Sequence, residues 1–314
     1  MTYESATDAI LAWEFTPMSV ARRQRTLARP AFVTGFGYFS GRDVRVEFWP
    51  AAENAGITFV RHDIGPAAQV PARAALRLDM PRRTTLELGG VRVEMVEHVL
   101  AALAGVRVDN CEVWVNAPEM PGCDGSASAF VEAMDAAGVV EQRRPVRQIV
   151  VERSIRVGDE RSWIEAQPPR SAGLSVSYEL DFGDGTPIGR QIFALDITPD
   201  TFRRELANCR TFIPQEAAQG MLAQGIGQRV TPRDLLIFGP HGPIDNELRF
   251  DDECVRHKLL DVIGDLALTG REIIGHVVAH CCGHSLHAEL AKQLLEQAES
   301  EDQRFERITE RRCA

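Results

Sequence analysis

Glu97-His98, His257, Asp261, Asp265 and His284 are the residues whose types and spacing could do chemistry together. His257 and Asp261 are four apart in a stretch where Val255, Leu259, Val262, Ile263 and Leu266 recur at three- and four-residue steps. That period predicts a helix with one apolar face. On it the imidazole and the carboxylate stand one above the other, and Asp265 continues the row. The spacing suits two ligands of one divalent metal. Taken alone, the simpler reading is an i,i+4 pair that steadies a helix. Glu97-His98 opens a second predicted helix, where a Glu also simply complements the helix dipole.

Pairing across the chain changes that balance. His98, His257 and Asp261 together make three nitrogen or oxygen ligands and leave one position open, the pattern of a catalytic zinc. Such a site needs a base for its water, and Glu97, next to a ligand, is placed to be one. Hydrolysis of an amide also needs a proton for the leaving nitrogen and a donor to the tetrahedral oxygen. His284 is the candidate acid, and Asp265 can hold it protonated through a carboxylate–imidazole bond. Thr211 is the candidate oxyanion donor. His62, His241, His276, His280 and His287 read as structural or surface residues.

The bulk numbers bound the setting. A chain of 314 residues, 44% hydrophobic and 25% charged, can bury one large core or two ordinary ones. A net charge of -10 without a basic run argues against nucleic acid as the main partner and leaves room for an anionic small-molecule substrate met by a few local Arg and Lys residues. Seven cysteines, with no CxxC and with Cys281-Cys282 adjacent, suit neither a disulfide framework nor a zinc knuckle. A reducing, cytoplasmic location follows. The N-terminus lacks the basic start of a signal peptide, and no apolar run has transmembrane length.

The elements that must position these residues fall into two similar halves. Residues 1–24 read as an N-terminal extension, an appended helix or arm. The first half, 25–145, has β-like runs at 26–33, 44–48, 57–61, 84–88 and 91–95, a helix at 96–104 stopped by Gly105, a strand at 111–115 and a helix at 126–137. The glycines of Gly35-Phe36-Gly37-Tyr38-Phe39-Ser40-Gly41 fit a hairpin turn, since no helix pattern follows them. His62-Asp63-Ile64-Gly65 matches a phosphohydrolase string, but Pro66 and the preceding strand forbid the helix that motif needs. Arg143-Arg144-Pro145 reads as a linker. The second half, 146–314, repeats the plan: strands at 149–157, 162–166, 174–181 and 190–194, a helix that starts after Thr198-Pro199-Asp200 and runs to about Asn208, a loop at 210–212 and a short helix at 216–223. A strand at 235–238, the helix carrying His257, a strand at 273–279 and a final helix follow. Residues 213–248 form an insert. The repeat is one of pattern, not of sequence.

These residues carry a resemblance. Val96-Glu97-His98 through Gly105, Asp109-Asn110, Asn116-Ala117-Pro118-Glu119, Asp124-Gly125-Ser126 and Arg210-Thr211-Phe212 resemble the zinc-dependent UDP-3-O-acyl-N-acetylglucosamine deacetylase family, LpxC. So do Arg249-Phe250, 255–261, Gly264-Asp265-Leu266, Gly275-His276 and Gly283-His284. The likeness runs in order from about Gln24 to Leu295. It implies an α+β fold: two β-α-α-β domains packed face to face as a sandwich, with one Zn2+ between them. It implies His98, His257 and Asp261 as metal ligands, Glu97 as base, His284 as acid or electrostatic stabiliser supported by Asp265, and Thr211 as the group polarising the scissile carbonyl. Lys258 would face the anionic part of the substrate. The implied reaction removes acetate from an acylated N-acetylglucosamine nucleotide in lipid A synthesis.

Three stretches depart from the family pattern. Phe39 stands where a histidine is usual, Pro121-Gly122-Cys123 replaces Pro-Ile-Met, and residues 225–239 replace a Gly-rich run leading into a regular βαβ. They keep two alternatives in play: the same chemistry on a different N-acyl sugar, and a zinc-binding paralogue without catalysis. An open apolar tunnel favours the family substrate, with Phe212 among its substrate contacts; a plug by Phe39, Phe212 or Phe238 favours the alternative.

Overall fold

The computed structural model describes residues 21–313, with side chains to residue 300, so most of the expected N-terminal arm lies outside the described residues. Six helices are present among them: α1 (Glu97–Gly105), α2 (Ser128–Ala137), α3 (Pro199–Glu205), α4 (Gln215–Ala223), α5 (Glu253–Leu266) and α6 (His284–Cys313). None is long and apolar enough to cross a membrane. The architecture is α+β, as the resemblance implies.

The expected repeat is real at the level of strand pairing. One sheet runs Ala31–Phe36, Asp43–Pro50, Cys111–Val115, Ile57–Arg61, Gln69–Pro71. The other runs Ile155–Gly158, Trp163–Gln167, Glu272–His280, Leu174–Asp181, Arg190–Asp196, with Gln148–Val150 also on Glu272–His280. In each order the third and fourth strands pair in parallel and their neighbours antiparallel. Each half places a helix just before its third strand, α1 or α5, and another after it, α2 or α6. Alternation drives this: Val44, Val46 and Phe48 point inward from one strand, and Asp43, Arg45 and Glu47 outward.

Each half also carries an insertion immediately before the helix that bears site residues. In the first it is the three-stranded sheet Arg77–Leu78, Thr85–Leu88, Val91–Glu94. In the second it is Phe212–Pro214, α4, Leu236–Gly239 and Gly242–Pro243. Phe212–Pro214 and Leu236–Gly239 pair in parallel across α4, so this segment is itself a βαβ unit, contrary to the departure expected from its composition. Phe212 belongs to a strand rather than to a loop.

Two further expectations need correction. Arg143-Arg144-Pro145 is not a linker; it ends the strand Val139–Pro145, which pairs antiparallel with Arg23–Leu27. Its charged side chains are those of an exposed edge, a pattern that mimics a linker in sequence. The single strand expected at 149–157 is two, Gln148–Val150 and Ile155–Gly158, which pair with different strands of the second sheet, Glu272–His280 and Trp163–Gln167.

The core positions the site through α5. Twelve of its fourteen residues are buried, because it packs on the second sheet, on α6 and on α1. Helix α1 is apolar almost all round and equally buried. Gly264 allows the two to approach: a Cβ there would stand 2.1 Å from the carbonyl oxygen of Glu97 and 3.2 Å from the amide nitrogen of Ala101. In an ordinary helix interior Gly→Ala stabilises by about 1 kcal/mol. Here Gly264→Ala is expected to destabilise by about 1–3 kcal/mol, read as a lower midpoint in denaturant unfolding. An unchanged or higher midpoint would refute the close-approach account.

Candidate active site

His98 comes from the first turn of α1 and His257 and Asp261 from successive turns of α5, so the helix contact assembles them. Their ligating atoms lie within 4.8 Å of one another. His98 Nε2 is 3.7 Å and His257 Nε2 3.5 Å from Asp261 Oδ1. Both separations are too long for hydrogen bonds. Asp261 Oδ1 is accordingly a buried oxygen with no hydrogen-bond partner, a costly state for a carboxylate unless a cation lies against it. The two imidazoles meet edge to face at 86°, with ring centroids 5.0 Å apart. His257 Nδ1 is 3.1 Å from the carbonyl oxygen of Cys209, which fixes the Nδ1–H tautomer and leaves Nε2 as the free lone pair. Burial pushes the His257 pKa down to about 4, keeping the ring neutral as a ligand must be. The donor set and the orphaned oxygen fit a divalent metal.

Lys258 Nζ donates to the other oxygen of Asp261 at 2.7 Å. Burial opposes the charge on both groups, but their mutual attraction outweighs it: the Asp261 carboxyl sits well below the usual range and the Lys258 ammonium above its ordinary value. Lys258 also lines the cavity over the site.

Glu97 precedes His98 on α1 and accepts the backbone N–H of Thr84 at 3.0 Å through Oε2. Burial raises its pKa, against the pull of the neighbouring histidines. His284 is the first residue of α6, and its Nδ1 is 2.7 Å from Asp265 Oδ2. Burial disfavours the imidazolium, yet Asp265 more than compensates, so the pKa of His284 is raised. The partnership expected between Asp265 and His284 is present.

Sequence reasoning missed two members of this network. His287, read as structural or surface, is fully buried, with Nδ1 2.8 Å from the same Asp265 oxygen and Nε2 3.3 Å from Cys282 Sγ. Burial works against its charge, but Cys282 and Asp265 bring its pKa up to about 9. Its three-residue spacing from His284 was the available signal. Thr84 is fully buried and donates its hydroxyl to Asp265 Oδ1; nothing in the sequence pointed to it.

Thr211 and Phe212 are held from below. The Arg210 guanidinium is paired with the buried Glu253 at 2.8 Å, and the backbone N–H groups of Arg210 and Arg249 donate to the same carboxylate at 2.9 and 2.7 Å. The Thr211 N–H donates to the carbonyl oxygen of Gly125 at 2.8 Å. Both residues line a cavity of about 1050 Å³ whose wall also includes Glu97, His98, His257, Asp261 and His284. The cavity extends past Phe212 along α4, against Ala217, Met221 and Leu222. Phe39 and Phe212 border it, and Phe238 does not. His276 is bonded to Ser175 and His280 stacks on Trp163, the structural roles expected of them.

Comparison with known proteins agrees with this geometry. Residues 24–296 match the family model of LpxC, UDP-3-O-acyl N-acetylglycosamine deacetylase. A UDP-3-O-acyl-N-acetylglucosamine deacetylase of Anaeromyxobacter sp. (strain Fw109-5) is 38% identical over 273 residues, covering 87% of this chain and 88% of that protein. The enzyme of the same name from Myxococcus xanthus (strain DK1622) is 38% identical over 278 residues, 87% of this chain and 86% of its own length. That from Shewanella sp. (strain W3-18-1) is 34% identical over 285 residues, 88% and 91% of the two chains. The chain belongs to the LpxC family of zinc-dependent deacetylases.

Proposed function

We propose that the protein removes acetate from the glucosamine nitrogen of a UDP-3-O-acyl-N-acetylglucosamine, using one zinc per chain. The observation that carries this reading is the unpartnered Asp261 Oδ1 facing two imidazole Nε2 atoms beside Glu97, in the wall of a cavity with an apolar arm.

A metal held by His98, His257 and Asp261 would supply Lewis acidity toward a water and toward the amide carbonyl. Glu97 takes the proton from that water; its raised pKa makes it a stronger base than an exposed carboxylate. Thr211, on the cavity wall, donates to the carbonyl oxygen as charge develops on it. His284, kept charged by Asp265, gives its proton to the leaving nitrogen. Lys258 offers its ammonium to the anionic part of the substrate while holding Asp261. Phe212 and the side chains of α4 offer apolar surface to an acyl chain. That arm beyond Phe212 favours an acyl-bearing sugar nucleotide, a cytoplasmic substrate, over a simple N-acetyl sugar.

The deciding assay compares acetate release from UDP-3-O-acyl-N-acetylglucosamine and from simple N-acetyl sugars. Turnover confined to the simple sugars would overturn the substrate assignment. Glu97→Ala is expected to keep the zinc and to lose about 10²–10⁴ in kcat, the usual scale of general-base catalysis. Undiminished turnover by that variant removes Glu97 from the base role. His257→Ala is expected to lower zinc content from about one per chain toward zero, since only two of the three protein ligands would remain. Unchanged metal content by elemental analysis would rule out the ligand set.

A further inference from the structure

We infer that Thr84 is a positioning residue that ties the base of the reaction to the carboxylate behind its acid. The inference rests on the deacetylase reading above for its kinetic consequences, but its physical basis is independent of substrate.

Thr84 belongs to the insertion of the first half, immediately before the strand Thr85–Leu88, and has no exposed surface. Each of its polar groups is engaged with the machinery. Its N–H donates to Glu97 Oε2 at 3.0 Å, and its carbonyl oxygen accepts the N–H of Val96, the residue before Glu97, at 3.3 Å. Its hydroxyl donates across to Asp265 Oδ1 on α5. Asp265 Oδ2 is shared by His284 Nδ1 at 2.7 Å and His287 Nδ1 at 2.8 Å. The carboxylate therefore has three donors from two parts of the chain, two imidazoles of α6 and the hydroxyl of Thr84, which supplies the one that occupies Oδ1. The segment bearing Thr84 is itself braced: Arg83 pairs with Glu94 at 2.9 Å and lies over the Phe39 ring at 3.9 Å.

The consequence is orientational. A carboxylate held at Oδ2 by two imidazoles can still turn about its own axis; a donor at Oδ1 removes that freedom and with it the swing of His284 Nε2 over the cavity. The same residue holds Glu97 at a fixed height against Asp265. Base and acid are thus registered to one another through one side chain and its own backbone amide, not through the metal.

Thr84→Val keeps the shape and the backbone amide but removes the hydroxyl, leaving Asp265 Oδ1 buried and unpaired. A hydrogen bond to a charged group is worth about 1.5–3 kcal/mol, so kcat is expected to fall roughly ten- to a hundred-fold. KM and zinc content should be unchanged, and Thr84→Ser should restore most of the rate. In an Asp265→Asn background Thr84→Val should cost little more, because the two act in one chain. A second readout needs no substrate. In the metal-free protein the Nδ1–H resonances of His284 and His287 report the Asp265 carboxylate, and Thr84→Val should displace both. Wild-type kcat in Thr84→Val, a loss that simply adds to that of Asp265→Asn, or unmoved imidazole resonances would each overturn the inference. Failure of the wild-type protein to deacetylate the sugar nucleotide would overturn the functional reading instead, leaving the resonances to decide the role of Thr84.

Discussion

Everything in the site depends on the closeness of two helices. With no side chain at Gly264, α5 comes against the first turn of α1 at the carbonyl of Glu97. Any larger residue would part the helices and separate His98 from His257 and Asp261. The packing of the two halves and the assembly of the candidate ligand set are therefore one event. The matching strand orders of the two sheets explain why α1 and α5 meet: each is the helix that precedes the third strand of its half, and the halves face one another through these helices.

A site so deeply buried must manage its charges internally. It does so by giving every carboxylate its own donors. Glu253 holds Arg210, Asp265 has Thr84 and two imidazoles, and Asp261 has Lys258 on one oxygen while the other is left to the histidine side. The choice of lysine is informative. Lys258 and Lys292 are the two lysines among 35 basic residues. A compact ammonium can donate to one carboxylate oxygen from within its own helix, whereas a guanidinium fork tends to engage both.

Much of this was legible in the sequence, for identifiable reasons. The three-and-four spacing around His257 and Asp261 is a local property of one helix, and Glu97-His98 sits where a helix visibly starts. Capping chemistry at Thr198-Pro199 marked the start of α3, where the capping box is present. What could not be read depends on partners far away in the chain. The strand containing Arg143-Arg144-Pro145 looks like a linker until Arg23–Leu27 is laid beside it. Thr84 is one threonine at the start of a strand-like run until Asp265, 181 positions later, is brought to its hydroxyl. His287 lay on a legible helix, but its inward direction depends on where α5 runs. The βαβ of the insertion was hidden because Phe212–Pro214 is only three residues long and reads as loop until Leu236–Gly239 is laid beside it; the helix between them, α4, was legible although it buries no residue of its own.

That last feature has an evolutionary side. A wall that contributes nothing to the core can change its lining without cost to folding. Exchanges among Ala217, Met221 and Leu222 alter the bore of the apolar arm while leaving the helix contact at Gly264 and the candidate ligands untouched. The candidate metal site and the apolar arm thus rest on separate parts of the chain, α1 and α5 for the one and α4 for the other.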